Sequence, residues 1–418
     1  MIKKVLSNKE LLWTALYQAS VLFGGLLLIK LLALSLSKYD YGYYALITSI
    51  SAFVLMIPFT AFMQGISRYL SIYTKKNKKD EFYTSIIFIF VSIVIFYLII
   101  SFILKYFISV DWNDIYFFIV LFIFSEIFKT LFYSINNANR KRKSVAISSI
   151  LEFSMKSIII YVSYKYQIIN ISYTLLALFS GNILATMILI YSNNSSFSFS
   201  YLNKKNLEIY FSRIWIFSYP LLIWAIFGWL RDMSNRWYLD YFLDKEQVAL
   251  FGMMGSIALI APVALQGLIG SFFIPILYQK ENSQKGYTRK FLKIMLPSVL
   301  VIFLISFFIT YFFKDFIVLL IADEKYLEIS WMLPWMFLVY SFYVLSMMST
   351  YELFAHKQTK KLIISSIIPG IISLVCGYFL IKEYGINGAL VNYAITYGSY
   401  SLFTFIVVWN YWRKNDNN

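Results

Sequence analysis

The sequence predicts an all-α polytopic membrane protein: about twelve transmembrane helices in two pseudo-symmetric six-helix lobes around a central cavity. Three observations predict it. The 418 residues are 60% hydrophobic and only 14% charged, with a mean hydropathy of +0.68, whereas soluble domains carry about 25% charged residues. Apolar runs of about 20 residues, the length that crosses a bilayer as a helix, recur from end to end. The loops between these runs alternate in charge.

The expected span cores are 11–35, 41–64, 82–104, 115–135, 145–164, 172–191, 214–238, 248–278, 291–313, 328–353, 361–381 and 387–410. The first run leads directly into a second span, unlike a cleavable signal peptide. An outer-membrane barrel would show short alternating segments instead of continuous apolar runs. The run at 248–278 is overlong and must tilt, kink at Pro262 or Pro275, or leave the membrane. The single cysteine, Cys376, sits in an apolar run, so there is no disulfide framework.

The net charge is +16, with 37 Lys and Arg against 21 Asp and Glu. In a soluble protein this would suggest nucleic acid; here the cations sit in loops. Alternate loops, from Lys3, Lys4 and Lys9 to Arg413 and Lys414, carry 25 basic residues and six acids. Lys285 and Lys357 belong to this set. The other loops carry seven basic residues and eleven acids. Basic loops stay cytoplasmic, so both termini are expected there, with an even number of spans. The same loops suit anionic headgroups.

The polar connection from Ser192 to Asn206 falls at mid-chain and gives an N-terminal lobe, 1–200, and a C-terminal lobe, 201–418. DYGYYALITSI (Asp40–Ile50) has a counterpart in QVALFGMMGSI (Gln247–Ile257), and NANRKRKSVAI (Asn137–Ile147) in FAHKQTKKLII (Phe354–Ile364). Each pair falls at the same place in its half. Halves with even span numbers share orientation, and substrate pathways in such repeats lie between them near mid-membrane.

Charges inside spans mark candidate sites, because a charge in hydrocarbon costs at least ~2.5–3.5 kcal/mol. PLLIWAIFGWLRDMSNRWYL (Pro220–Leu239) carries Arg231, Asp232 and Arg236. This reads as a cationic wall for an anionic cargo; the plainer reading is a neutral Arg231–Asp232 pair with Arg236 snorkelling to the interface. Lys30 lies roughly 28 Å into the first span, at a position related to Arg236 by the repeat. Trp224 and Trp229 share the span of Arg231, where flat amphipathic rings suit sugar faces; helix packing is the plainer explanation. Most other tryptophans sit near span ends, as an interfacial belt requires.

Glu126 and Lys129 lie in the fourth span, Glu152 and Lys156 in the fifth. Counted from the intervening hairpin, Lys129 and Glu152 lie ~13–16 Å deep, and Glu126 and Lys156 ~19–21 Å. This reads as a charge ladder joining two helices, with Lys129 a lesser candidate for the cavity. Six of the seven prolines, from Pro220 onward, fall in the second half; they and Gly24–Gly25 are candidate hinges.

No glycine precedes a lysine, which excludes a P-loop ATPase. One histidine, His356, cannot build a triad or a His-rich metal site. No extracytoplasmic loop is long enough for a glycosyltransfer domain. These absences point to movement and not reaction, with no cofactor.

The chain resembles the bacterial polysaccharide-lipid flippases, the O-antigen and capsule repeat-unit transporters of the multidrug/oligosaccharidyl-lipid/polysaccharide exporter superfamily. The resemblance covers the whole chain. It rests on a Gly-rich first span running into SKYDYGYYAL (Ser37–Leu46), QGISRYLS (Gln64–Ser71), NNANRKRK (Asn136–Lys143), FSYPLLIWAI (Phe217–Ile226) and EYGINGALV (Glu383–Val391). Each motif is diffuse; the ordered set of five is more specific. Ala249 departs from the pattern, standing where the second half often repeats the glycine of the first.

The resemblance implies a multi-pass protein of the bacterial cytoplasmic membrane whose cargo is an undecaprenyl-diphosphate-linked oligosaccharide. Its expected partners are this lipid-linked substrate, membrane lipids, a coupling ion (Na+ or H+), and the polysaccharide polymerase and chain-length regulator of the pathway; nucleic acid is not among them. Three other readings remain: a drug–cation antiporter of the same architecture, a polysaccharide polymerase or ligase, and a cell-wall precursor flippase.

Overall fold

A computed structural model describes residues 9–105, 110–193, 197–284, 286–356 and 358–416. Lys3, Lys4, Lys285 and Lys357, counted above among the basic loops, lie outside them. Within the described residues every regular element is helical. The main helices are α1 (Lys9–Ser35), α2 (Lys38–Val54), α3 (Ala61–Lys75), α4 (Lys79–Lys105), α5 (Tyr116–Ala138) and α6 (Arg142–Lys165). They continue with α7 (Ile171–Tyr191), α8 (Lys204–Phe242), α9 (Lys245–Ser283), α10 (Tyr287–Phe312), α11 (Met332–Ser349) and α12 (Ile363–Asp416).

Ten helices among these residues are long and apolar enough to cross a membrane, and α8, bent by 46° between Tyr219 and Leu221, is an eleventh. Proline at 220 has no N–H to give the preceding turn, which permits the bend. The span Lys360–Lys414 has 55 residues and would run about 80 Å if straight, more than twice a bilayer core. It is broken at Gly385, where φ is 57° and ψ −133°. A Cβ on Gly388 would lie 1.9 Å from the Leu380 carbonyl oxygen, so the chain doubles back over these few residues. EYGINGALV is therefore a hairpin between two apolar helices, and counting these separately brings the candidate spans among the described residues to twelve. The overlong run at 248–278 is one helix, α9.

Local chemistry sets the helix ends. Asn170 accepts from the Tyr173 N–H at 3.0 Å to start α7, and Asp244 accepts from the Gln247 N–H at 2.9 Å to start α9. Ser37 does the same for α2: its Oγ accepts from the Asp40 N–H at 3.0 Å and donates to Asp40 Oδ2 at 2.8 Å. The α9–α10 corner uses Gly286 at φ 79°, the region glycine adopts without steric cost. Between α2 and α3 the turn Leu55–Thr60 contains Pro58 and a non-helical Ile57.

The chain forms two compact units. Unit 1 is Met1–Ser35 with Ile50–Leu222; unit 2 is Leu36–Ser49 with Ile223–Asn418. These units do not follow the repeat halves 1–200 and 201–418 residue for residue. In unit 1, α1 packs on α6, and α7 packs on both α5 and α6. In unit 2, α11 packs on α9, α10 and α12. Residues 36–49 are held inside unit 2. A Cβ at Gly42 would lie 2.0 Å from the Lys245 carbonyl oxygen, so only glycine lets this segment meet the start of α9. Lys38 pairs with Glu328 at 2.6 Å, and Lys325 donates to the Leu36 carbonyl at 2.6 Å.

Candidate functional site

The second part of α8 carries five of the seven residues singled out by the sequence, all in unit 2. Arg231 is 2% exposed and forms a two-pronged pair with Asp232: Nε to Oδ1 at 2.7 Å and Nη2 to Oδ2 at 3.1 Å. Its guanidinium is enclosed by three tyrosine rings, with centroids at 5.0 Å (Tyr343), 5.2 Å (Tyr397) and 4.6 Å (Tyr400). Cation–π attraction strengthens as a site is desolvated. Tyr397 also donates to Asp232 Oδ1 at 2.6 Å. The remaining terminal nitrogen, Nη1, is buried and meets the geometric hydrogen-bond criteria with no partner among the described residues.

Arg236 is held differently. It is half-buried and donates through Nη1 to the Ala45 carbonyl at 2.9 Å and to Thr48 Oγ1 at 3.4 Å. Among the described residues it forms no ion pair with a carboxylate. Trp229, seven residues earlier and so on the same face of the helix, donates Nε1 to the Ser49 carbonyl at 2.8 Å. Both residues therefore grip α2 by backbone carbonyls. Trp224 is half-buried on the same helix.

Behind these charges lies a neutral polar network. Ser234 and Ser373 share a hydrogen bond at 2.7 Å, and Asn392 Nδ2 donates to Asn235 Oδ1 at 2.5 Å and to the Ser373 carbonyl at 3.2 Å. The Tyr393 and Tyr397 rings pack at a tilt of 57° with centroids 4.5 Å apart, and Tyr340 touches both edge-on. This group escapes a reading of the sequence that weighs only in-span charges, tryptophans and helix breakers. The signal was present in NYAITYGSY: tyrosines at 393, 397 and 400 recur at helical spacing within a span.

Lys129 and Lys30 belong to unit 1. Lys129 Nζ lies 2.8 Å from Glu126, 2.8 Å from Glu152 Oε1 and 3.1 Å from Asn182 Oδ1. Lys156 reaches the same Glu152 oxygen at 2.5 Å. Asn182 of α7 completes the cluster by donating to Glu126 Oε2 at 2.8 Å. The charges thus form a connected group of two cations and two anions. The expected facing of Glu126 and Lys156 is not a direct ion pair: α7 enters between the helices, and Asn182 takes up Glu126. Lys30 is half-buried in α1.

All four acidic residues that the sequence places inside spans have a cation beside them: Glu126 and Glu152 as above, Asp232 with Arg231, and Glu352 with Arg289 at 3.4 Å.

No protein-family profile matches the chain, and no curated protein matches it. Solved structures do. The inward closed conformation of the lipid II flippase MurJ superposes with a TM-score of 0.73 at 19% identity, covering 94% of this chain and 86% of that one. An inward-facing multidrug resistance MATE family transporter of the MOP superfamily gives 0.67 at 12% identity over 96% and 94%. A Vibrio cholerae MATE transporter gives 0.60 at 15% identity over 96% and 97%. The chain is thus a multi-pass membrane protein with the helical fold shared by MurJ and the MATE transporters.

Proposed function

We propose that the protein is a flippase that moves an undecaprenyl-diphosphate-linked oligosaccharide across the bacterial cytoplasmic membrane, by alternating access, for O-antigen or capsular polysaccharide synthesis. The basic loops support a cytoplasmic position for both termini. The carrying observation is Arg236: an in-span guanidinium with no carboxylate partner, anchored through one nitrogen to the Ala45 carbonyl. Sugar and diphosphate cannot enter hydrocarbon unaided, and a guanidinium matches phosphate oxygens in pairs. Arg231, with Nη1 unpartnered, is the second contact, and Asp232 orients it. Lys30 and Lys129 remain further proposed cargo contacts, and Trp224 and Trp229 are proposed to lie against sugar rings. Outward movement of an anion also runs down an inside-negative potential, worth ~2.3 kcal/mol per charge per 100 mV.

A drug–cation antiporter of the MATE kind needs a carboxylate free to take up its cargo or coupling ion, and the in-span acids are all beside cations. This disfavours that reading; a coupling ion, Na+ or H+, remains a proposed partner. Lipid II, the cargo in the name of the MurJ flippase, makes a cell-wall precursor the rival cargo within the flippase reading. A polymerase and a chain-length regulator are the proposed protein partners.

The test is Arg236→Ala and Arg236→Lys in cells that depend on the protein for surface polysaccharide. Alanine should leave the protein inserted, abolish the polysaccharide and accumulate the lipid-linked unit inside; lysine should retain part of the transport. Normal surface polysaccharide in the alanine variant refutes the reading. Rescue of cells lacking a cell-wall precursor flippase would reassign the cargo.

A further inference from the structure

Unit 2 has a second feature that the transport reading does not use. At its basic end a cavity of about 520 Å³ opens between α10, the end of α11 and the last turns of α12. That volume lies within the range of small-ligand sites, about 300–1,000 Å³. Its walls are apolar, among them Leu296, Leu402, Phe405, Trp409 and Trp412, with Ser349 at the base. Leu402 is 58% exposed and Trp409 64%, so the trough faces the lipid.

Its lower rim is cationic. Lys293 lies one turn from Leu296 towards the basic end, and Arg413 lies one turn beyond Trp409, so helical spacing sets both beneath the trough. Lys290 and Lys414 follow on the same ends. All four are exposed, and among the described residues none has a carboxylate partner. The exposed amide of Asn410 also lines the cavity.

From Leu402 to Arg413 the trough runs about 16 Å. A bilayer core is about 30 Å thick, so the trough is one leaflet deep. A long polyprenyl chain would overrun it, whereas one acyl chain fits, with its phosphate at the cationic rim. We infer that this trough is a binding site for an anionic phospholipid of the leaflet on the basic side, its acyl chain between α10 and α12 and its phosphate at Lys293 and Arg413. The site stands whether or not the cargo proposed above is right.

The experiment uses the full chain in micelles, titrated with chain-brominated phosphatidylglycerol or phosphatidylcholine while tryptophan emission is followed. Phosphatidylglycerol should quench a distinct fraction of the emission at a much lower mole fraction than phosphatidylcholine. Lys293→Glu with Arg413→Glu should reduce that preference at least about tenfold, since each basic residue near the surface contributes about 1 kcal/mol. Trp409→Phe with Trp412→Phe should remove the selectively quenched fraction while the protein still elutes as wild type. Equal quenching by the two lipids would reduce the trough to ordinary annular contact and overturn the site. So would a preference that survives the rim reversal, or a selective fraction that survives the loss of both tryptophans. Displacement of the brominated lipid by a polyprenyl phosphate but not by unlabelled phosphatidylglycerol would overturn the assigned occupant.

Discussion

The Arg231–Asp232 pair gives a quantitative test of how unit 2 is held together. The two partners are not equally buried: side-chain exposure is 2% for Arg231 and 24% for Asp232. Arg231→Met removes two charge-assisted hydrogen bonds and three ring contacts, but it leaves the carboxylate with the Tyr397 hydroxyl at 2.6 Å and some access to water. Breaking a buried pair costs about 3–5 kcal/mol, and this variant belongs at the low end, about 3. Asp232→Leu leaves a guanidinium with no water and no anion, and belongs at the high end, about 5. At 1.4 kcal/mol per tenfold, the difference exceeds a factor of ten in the folded ratio. The double variant Arg231→Met with Asp232→Leu strands neither charge, and replacement of a buried pair by apolar side chains is often neutral or stabilising. It should therefore be more stable than either single variant. Denaturant titration in mixed micelles, followed by size-exclusion recovery, gives the order. If Arg231→Met is the more damaging single change, or if the double variant is worse than both, the burial argument is wrong.

Three further outcomes follow from the geometry. Lys129→Glu with Glu152→Lys should not preserve unit 1, because each new charge would lie beside a like one, at Glu126 and Lys156; adding Glu126→Lys and Lys156→Glu should restore folding, and a double variant as stable as wild type would show that the four charges are not one cluster. Gly181→Leu should prevent stable insertion, since even a Cβ there lies 2.5 Å from Lys156 Cγ and 2.9 Å from the Glu152 carbonyl, and overpacking costs about 1–3 kcal/mol for much smaller intrusions; wild-type melting would refute the close approach. Burial pushes the Glu281 carboxyl up, but the Thr288 and Gly286 N–H groups and His356 outweigh it and hold it below its ordinary 4.5. A lowered folded value gives stability that is present above the unfolded value and lost as pH falls through the folded one. Glu281→Gln should thus melt lower than wild type at pH 7, with the gap closing below pH 4.5; a gap that persists in acid would refute it.

The spans were legible because each is an apolar run of bilayer length, and the structure places helices over all twelve. The break at Gly385 was readable from polar, glycine-bearing EYGING between two such runs. The bend of α8 was harder to see: its first turns, from Lys204, are polar enough to read as loop, and proline permits a bend without requiring one. The Lys129–Glu152 contact followed from counting depth along two antiparallel helices. Depth cannot say which helix lies between them, so the role of Asn182 was invisible. Asn235, Ser373, Asn392 and the tyrosines were missed for a similar reason. Neutral polar side chains scattered over distant spans form a network only once the helices are packed.

The reciprocal membership of the two compact units limits how this chain could be cut or recombined. Residues 36–49 complete unit 2 and 50–222 complete unit 1, so neither repeat half is a finished body. Severing the chain in the Ser192–Asn206 linker would give an amino-terminal fragment lacking the first part of α8 and a carboxy-terminal fragment lacking the strut at Gly42. Fragment complementation should succeed only when both pieces are made together. Chimaeras joined at mid-chain would inherit a mismatched graft at each borrowed segment, so a working exchange has to carry residues 36–49 with one body and the start of α8 with the other.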